Sequence, residues 1–525
     1  MKRREFIAAG AASVAAQRLL GCQSASGPDL TAAEDIAARR PNILVILADQ
    51  HRADCIGVYG NPDIRTPHLD ALAAEGVRYE RCFCPYPVCT PSRYSLLSGR
   101  YVLDHGGSSN RCTLRSEIET YPKILRQGGY RTAAAGKMHF TPTYLDVGFD
   151  RMVLSEQDGE GRWDDDYHRE LMAHDLVDFN DLEDQRREYR VQARSEYWQH
   201  CGALASNLPR EFHSTEWIAR QALQILDGWG PEGNLLMVGF IKPHHPFDPP
   251  EELKDLYDPA ALTLLPGWTP GCAAHDLALN KGYFPHDKID EAQLRRAMAY
   301  YYATIEHVDM QIGRMIDLLR HKGVLDNTLI VYTSDHGEYL GSHHLLLKGG
   351  YMYDPLVRVP LIIRCPGAAQ GGVSKKLVSL IDVPTTVLHQ VGLAPAPAMQ
   401  GLDLGDKDAG REMVFAESAR GSQVMVRTAD RKLILGDTPQ VRLFFDLKDD
   451  PLEMRNHIED TAYGEEVAVL TQALEAWRRP VPREEAFVDM NAPIIQQSNV
   501  PPRDNSHRDA IIEYYRQKMA QDQGA

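Results

Sequence analysis

Asn42-Ile43-Leu44-Val45-Ile46-Leu47-Ala48, set between Pro41 and Asp49-Gln50, is an unbroken apolar run of strand length. It reads as a β-strand buried on both faces, because a strand with one wet face would alternate apolar and polar residues. Comparable runs recur at Thr132 to Ala135, Leu235 to Ile241, Leu329 to Thr333 and Leu361 to Ile363, with helical patterns between them. Strands alternating with helices predict an α/β fold, a large mixed but mostly parallel sheet sandwiched by helices. One helix is punctuated by Thr66 as N-cap, Pro67 in the first turn, Leu69, Leu72 and Ala73 on one face, and Gly76 as the stop. A longer one is predicted from Asp290 to Lys322, with Ile305, Val308, Ile312, Met315 and Leu319 at helical spacing.

Past the Pro-rich turn Ala394-Pro395-Ala396-Pro397 the pattern changes, and Val424 to Val426, Lys432 to Leu435 and Leu443 to Asp446 read as short antiparallel strands. The expected organisation is a leader and linker over 1–40, a main domain over 41–405, and a smaller C-terminal α+β domain with its tail over 406–525. The polar stretch Asn491 to Asn505 is expected to wrap the surface before a last helix from Asp509 to Met519.

The net charge of -16 argues against a nucleic-acid partner, since phosphate backbones are bound by clustered Lys and Arg. Nine dilute cysteines, an odd number, force no disulfide framework. At the N-terminus Lys2, Arg3 and Arg4 precede Phe6 and an Ala-rich apolar run to Ala16, which fits a twin-arginine export signal and is too short to span a bilayer. Export to the periplasm or cell surface follows. Leu19-Leu20-Gly21-Cys22 also fits a lipoprotein site that would anchor the chain through Cys22, although Arg18 weakens the match.

The stretch Cys89-Thr90-Pro91-Ser92-Arg93, continued by Leu96-Leu97-Ser98-Gly99-Arg100, resembles the signature of the formylglycine-dependent (type I) sulfatases of the alkaline phosphatase superfamily. The likeness extends over nearly the whole chain, through Thr66-Pro67-His68-Leu69-Asp70, Arg358-Val359-Pro360-Leu361, Asp382-Val383-Pro384-Thr385, and Phe445-Asp446-Leu447 with Asp450-Pro451. It implies an alkaline phosphatase-like fold and makes 41–405 a catalytic sulfatase domain. It also implies a formylglycine-generating enzyme as a maturation partner and a formylglycine made from Cys89, whose hydrated aldehyde attacks sulfur with one hydroxyl and expels sulfate through the other.

Such a nucleophile needs a divalent cation beside it. Asp49 and Gln50 after the first strand, with Asp335 and His336 after the strand Leu329 to Thr333, offer donors at strand tips that an open sheet brings to one crevice. These four with Cys89 form the expected metal site. The resemblance favours Ca²⁺, with Mg²⁺ or Mn²⁺ as alternatives. Many sulfatases have Asp where this chain has Gln50, a departure that resembles the phosphonate monoester hydrolase branch. By the same resemblance Lys137 lies beside the formylglycine and His139 is the base for its second hydroxyl. Arg93 holds the formylglycine, His244 contacts sulfate, and His244 with Lys348 protonates the leaving group, with His245 and His343 as rivals.

The expected substrate is an organic sulfate ester, a sulfated small molecule or, given export, a sulfated glycan. The insertions Leu154 to Asn207 and Trp268 to Asp287 are expected to set specificity. Trp163, Tyr167, Tyr189, Tyr197 and Trp198 fit a sugar-binding rim as well as they fit an ordinary solvated insertion. A phosphonate or phosphate monoester hydrolase is the alternative within the superfamily, from which Gly136-Lys137-Met138-His139 separates this chain. A surface lipoprotein that binds sulfated glycans is the non-enzymatic alternative. Oligomeric state is not legible.

Overall fold

The structure is a computed structural model that describes residues 40–522 apart from 274–275, 277–283, 285–288, 368–370, 407, 440 and 479–486. The expected leader and Cys22 lie outside the described residues. The strands are β1 (Asn42–Asp49), β2 (Val77–Phe83), β3 (Arg131–Gly136), β4 (Arg151–Leu154), β5 (Asn234–Pro243), β6 (Thr328–Ser334), β7 (Arg358–Val359), β8 (Leu361–Arg364) and β9 (Gly372–Ser379) in one sheet, and β10 (Val414–Ser418), β11 (Gln423–Arg427), β12 (Arg431–Gly436) and β13 (Arg442–Asp446) in another. The helices that matter below are α1 (Pro67–Glu75), α2 (Cys89–Ser98), α3 (Ser214–Asp227), α4 (Glu291–His321), α5 (Gly464–Trp477) and α6 (Ser506–Asp522).

The nine-stranded sheet runs β4-β3-β5-β1-β6-β8-β2-β7, with β9 paired to β2. β4 through β6 in that order are parallel, while β8 runs antiparallel to both β6 and β2. The tips of β4, β3, β5, β1 and β6 therefore stand side by side on one edge. Every residue of β1 is buried. Ile43, Val45 and Leu47 enter the core on one face with Leu96, Leu97 and Leu125, whereas Leu44, Ile46 and Ala48 enter the core on the other with Leu69, Ile218, Ile312 and Met315. Two packed faces are why the strand has no polar alternation. Burying each such Val, Leu or Ile stabilises by about 1.5–3 kcal/mol.

α1 follows its punctuation in extent but not in chemistry. Thr66 occupies the N-cap position, yet its hydroxyl accepts from Gly57 N (2.9 Å) rather than from the helix. The first-turn amides of His68 and Leu69 donate instead to Asp309 on α4 (3.1 and 2.7 Å), so a tertiary contact replaces the local cap. α4 starts as expected, with Asp290 and Gln293 in a capping box.

The second sheet, β10-β11-β12-β13, is antiparallel and packs Val424, Val426, Leu433 and Phe444 against Leu470 and Leu474 of α5. The tail does run along the surface: Asp146 N donates to Pro493 O, Ile495 N to Tyr144 O, and Asn499 Nδ2 to Met152 O. α6 then places Ile511, Tyr515 and Met519 against Trp163, Val177 and Leu182 of the 154–207 insertion. Of the aromatic residues expected at a sugar rim, Trp163, Tyr167 and Tyr197 are buried and serve packing, Tyr189 is half-buried and Trp198 is exposed.

Candidate active site

Each strand tip on the shared edge delivers one part of the site. β1 ends in Asp49 and Gln50, and β6 is followed by Asp335 and His336. β3 ends in Gly136, whose φ of +88° and close backbone approach to Gly239 leave no room for a Cβ, and the chain turns there into Lys137 and His139. β5 leads into His244 and His245. Cys89 is the first residue of α2, placing its side chain at a helix N-terminus, where the helix dipole favours negative charge.

These parts converge. Cys89 Sγ lies 3.6 Å from Asp49 Oδ1, 3.3 Å from His336 Nε2 and 3.0 Å from Lys348 Nζ. Lys348 Nζ also meets His244 Nε2 at 2.8 Å, and Lys137 Nζ pairs with Asp49 Oδ2 at 2.6 Å. Arg93 bridges the two carboxylates, Nη2 to Asp49 Oδ2 (3.1 Å) and Nε to Asp335 Oδ2 (2.8 Å). His139 is buried with both ring nitrogens unpartnered, in a left-handed backbone conformation (φ +59°) held by Thr90 Oγ1 donating to its carbonyl. All ten residues expected to carry chemistry thus occupy one neighbourhood, nine of them buried and Lys348 half-buried. His343 stands apart, stacked on Tyr353.

The electrostatics follow from burial and neighbours. Burial pushes the Asp49 carboxyl up, but Lys137, Arg93 and Lys348 outweigh it and hold it well below the usual carboxylate range. Burial and Asp49 likewise push the Cys89 thiol up, and Lys348, Lys137 and His336 hold it well below the ordinary thiol range. Burial, then Lys348, depresses His244 well below the usual imidazole value.

Asp49, Cys89, Asp335 and His336 offer donor atoms that all lie within 4.8 Å of one another, a grouping able to hold a metal ion. Two further observations fit a cation. Gln50 Nε2 donates to Glu338, which fixes the amide, and Gln50 Oε1 is then buried without a partner. His336 Nδ1 meets Gly337 O at 2.9 Å, which puts the proton there and leaves the Nε2 lone pair facing the cluster.

Several supports escaped the sequence reading. Glu156 accepts from the Met138 and His139 amides (2.9 Å each), and Gln157 Oε1 accepts from Lys137 Nζ (3.1 Å). Both follow β4, so the same strand-tip logic would have reached them had Arg151-Met152-Val153-Leu154 been read as a strand. Glu338 accepts from Leu340 N and Leu347 N as well as from Gln50, tying the turn before Lys348 to the Gln50 amide. Asp184 meets His245 Nδ1 at 2.5 Å from within the insertion.

Fold and cluster together define a hydrolase of the alkaline phosphatase superfamily. The chain matches the family model Sulfatase over residues 41–393 and the model N-sulphoglucosamine sulphohydrolase, C-terminal, over 341–480. It is 30% identical over 495 residues to an arylsulfatase of Clostridium perfringens, covering 86% of this chain and 97% of that one. It is 28% identical over 485 residues to an N-acetylglucosamine-6-O-sulfatase of Bacteroides thetaiotaomicron, covering 83% and 86%. Among solved structures it superposes on the phosphonate monoester hydrolase of Silicibacter pomeroyi with a TM-score of 0.70 at 25% identity, covering 84% and 95%. The chain belongs to the sulfatase family and is a sulfuric ester hydrolase by class.

Proposed function

We propose that this protein removes sulfate from a glycan through a formylglycine made from Cys89, with Ca²⁺ at the site and Mg²⁺ or Mn²⁺ as substitutes, and that it works in the periplasm or at the cell surface. The observation that carries the reading is the 3.0 Å approach of Lys348 to Cys89, with Asp49 and His336 close by. Cys89 Sγ stands where the oxygens of the converted, hydrated side chain would lie. Asp49, Gln50, Asp335 and His336 would hold the cation, which when bound lowers the pKa of a neighbouring hydroxyl and neutralises sulfate oxygens.

The chain's own residues then divide the work. Arg93 fixes both carboxylates, and Lys137 and Lys348 draw in the sulfate oxygens. As one hydroxyl of residue 89 attacks sulfur, the ester S–O bond breaks, and His244 with Lys348 supplies the proton to the leaving alkoxide across their 2.8 Å contact. His139, with two unpartnered nitrogens, takes the proton of the second hydroxyl, so that the C–O bond breaks, sulfate departs and the aldehyde returns. The glycan assignment is supported by the relative named as an N-acetylglucosamine-6-O-sulfatase and by a structural neighbour described in complex with D-glucosamine-2-N,6-O-disulfate, and it accords with the export signal expected at Arg3-Arg4. Cys22 is the proposed site of a lipid anchor, testable by globomycin-sensitive palmitate labelling.

Gln50 favours a second reading, phosphonate ester hydrolysis, in keeping with the phosphonate hydrolase superposition. The deciding experiment makes the protein in a host able to oxidise sulfatase cysteines, weighs the Cys89 peptide, and assays sulfated oligosaccharides, 4-nitrophenyl sulfate and a phenylphosphonate ester in parallel. Formylglycine mass with sulfate release from the oligosaccharides is expected. Faster turnover of the phosphonate would transfer the assignment, and unmodified Cys89 with glycan binding alone would make the protein a binder.

A further inference from the structure

Gln157 lies in the 154–207 insertion and is fully buried, three residues past the tip of β4. Its amide has a complete set of partners. Nε2 donates to Asp181 Oδ1 at 2.7 Å and to His245 O at 2.8 Å, and Oε1 accepts from Lys137 Nζ at 3.1 Å. Because both amide hydrogens have oxygen acceptors, the group cannot flip without facing NH₂ toward an ammonium and oxygen toward oxygens. The orientation is therefore fixed by chemistry.

The two groups it joins belong to different strand tips. Lys137 follows β3, and the His245 carbonyl also accepts from His244 Nδ1 at 2.7 Å, which sets the tautomer of the imidazole that meets Lys348. Gln185 Nε2 adds a third donor to the same carbonyl at 3.2 Å. Asp181 in turn is held by Arg162, whose guanidinium lies over the Trp163 and Tyr515 rings.

We propose that Gln157 is a positioning residue, a neutral clamp between the sulfate-binding lysine and the turn of the leaving-group histidine, which makes the insertion part of the catalytic frame. This rests on the sulfatase assignment of Lys137 and His244 above. The charge state is the point. Lys137 already has one carboxylate partner, Asp49. A second carboxylate would cancel the positive charge the sulfate is to meet, whereas an amide oxygen takes up one N–H and leaves the charge in place. A third N–H then remains for an incoming anion.

The test compares Gln157→Glu and Gln157→Leu with the parent, using steady-state kinetics, stabilisation of the protein by inorganic sulfate in thermal melts, and circular dichroism as the check on folding. Both variants are expected to lose about 10²-fold in kcat, the scale of a small misplacement of reacting groups. Gln157→Glu is expected in addition to weaken sulfate stabilisation about tenfold in midpoint concentration and to raise KM, because only it adds a negative charge beside Lys137. A split between the two variants is what a merely structural residue would not give. A Gln157→Leu enzyme within about twofold of the parent in kcat, or a Gln157→Glu enzyme with parental sulfate stabilisation, overturns the proposal. A parent that releases no sulfate from any ester, while Gln157→Glu still loses sulfate stabilisation, upholds the clamp and overturns the reaction assignment.

Discussion

Two buried ionic networks can be set side by side. At the strand tips Asp49, Asp335, Arg93, Lys137 and Lys348 are packed around Cys89, and the set leaves Gln50 Oε1 and both nitrogens of His139 unpartnered. Where the small sheet meets the main one, Lys432 pairs with Asp354 (2.9 Å) and Glu453 (2.6 Å), and Arg427 pairs with Asp354 again (3.0 Å). In the second network each charged group has an ion-pair partner of opposite sign. The first keeps polar atoms in reserve, and buried polar atoms without partners are costly unless something else comes to them. Burial of charge alone therefore does not mark a site; at the strand tips it coincides with leftover valence around a thiol and a grouping able to hold a metal ion.

The comparison can be broken most severely at the thiol. Cys89→Ala is expected to cut kcat for sulfate release by more than about 10³-fold with the fold intact, measured against the parent made in an oxidising host. His139→Ala should follow, with a loss of about 10²–10⁴-fold in kcat and little change in KM, because in the proposed chemistry the histidine acts after the substrate is held. Chelation should lower activity by about 10²-fold, and added Ca²⁺ should restore it and raise the melting temperature. The other network should respond in the opposite way. Lys432→Met strands Glu453 and leaves Asp354 with Arg427 alone, so unfolding in denaturant should show a loss of about 3–5 kcal/mol while kcat of the folded fraction stays put.

The mildest effect concerns pH. Burial pushes the Glu417 carboxyl, on β10, up to about 8. A carboxyl whose folded value exceeds its unfolded one contributes stability that is fully present below the unfolded value and is lost as pH rises through the folded one. The melting temperature should therefore decline between pH 5 and 8 by a margin that Glu417→Gln reduces, with parent and variant converging toward pH 5.

What was legible in the sequence tracks how local the cause is. β1 and β6 are legible because strands buried on both faces carry an apolar run without polar alternation, and the acids after those runs belong to the grouping able to hold a metal ion. β2 and β9 are not, since Val-Arg-Tyr-Glu-Arg-Cys-Phe at 77–83 and Gly-Val-Ser-Lys-Lys-Leu-Val-Ser at 372–379 mix charge into strands near the sheet's rim. Thr66 was read as a helix cap because local rules cannot see Asp309, some 240 residues away, taking the helix amides instead. For the same reason Lys137 and His139 were found from their motif, while Glu156, Gln157 and Glu338, which hold them or their neighbours from other segments, were not. The lysine's function is written in its own neighbourhood and its orientation is written elsewhere.

The packing of α6 on Trp163, Val177 and Leu182 sets an order of events during synthesis. Residues 506–522 leave the ribosome about three hundred residues after the 154–207 insertion, so the face of the insertion that backs Arg162 and Asp181 waits uncovered over that interval. Cys89, enclosed in the finished fold, emerges more than four hundred residues earlier. Under the chemistry proposed for it, that interval is when a modifying enzyme can still reach the thiol, and the stretch of chain between the two segments acts as the timer.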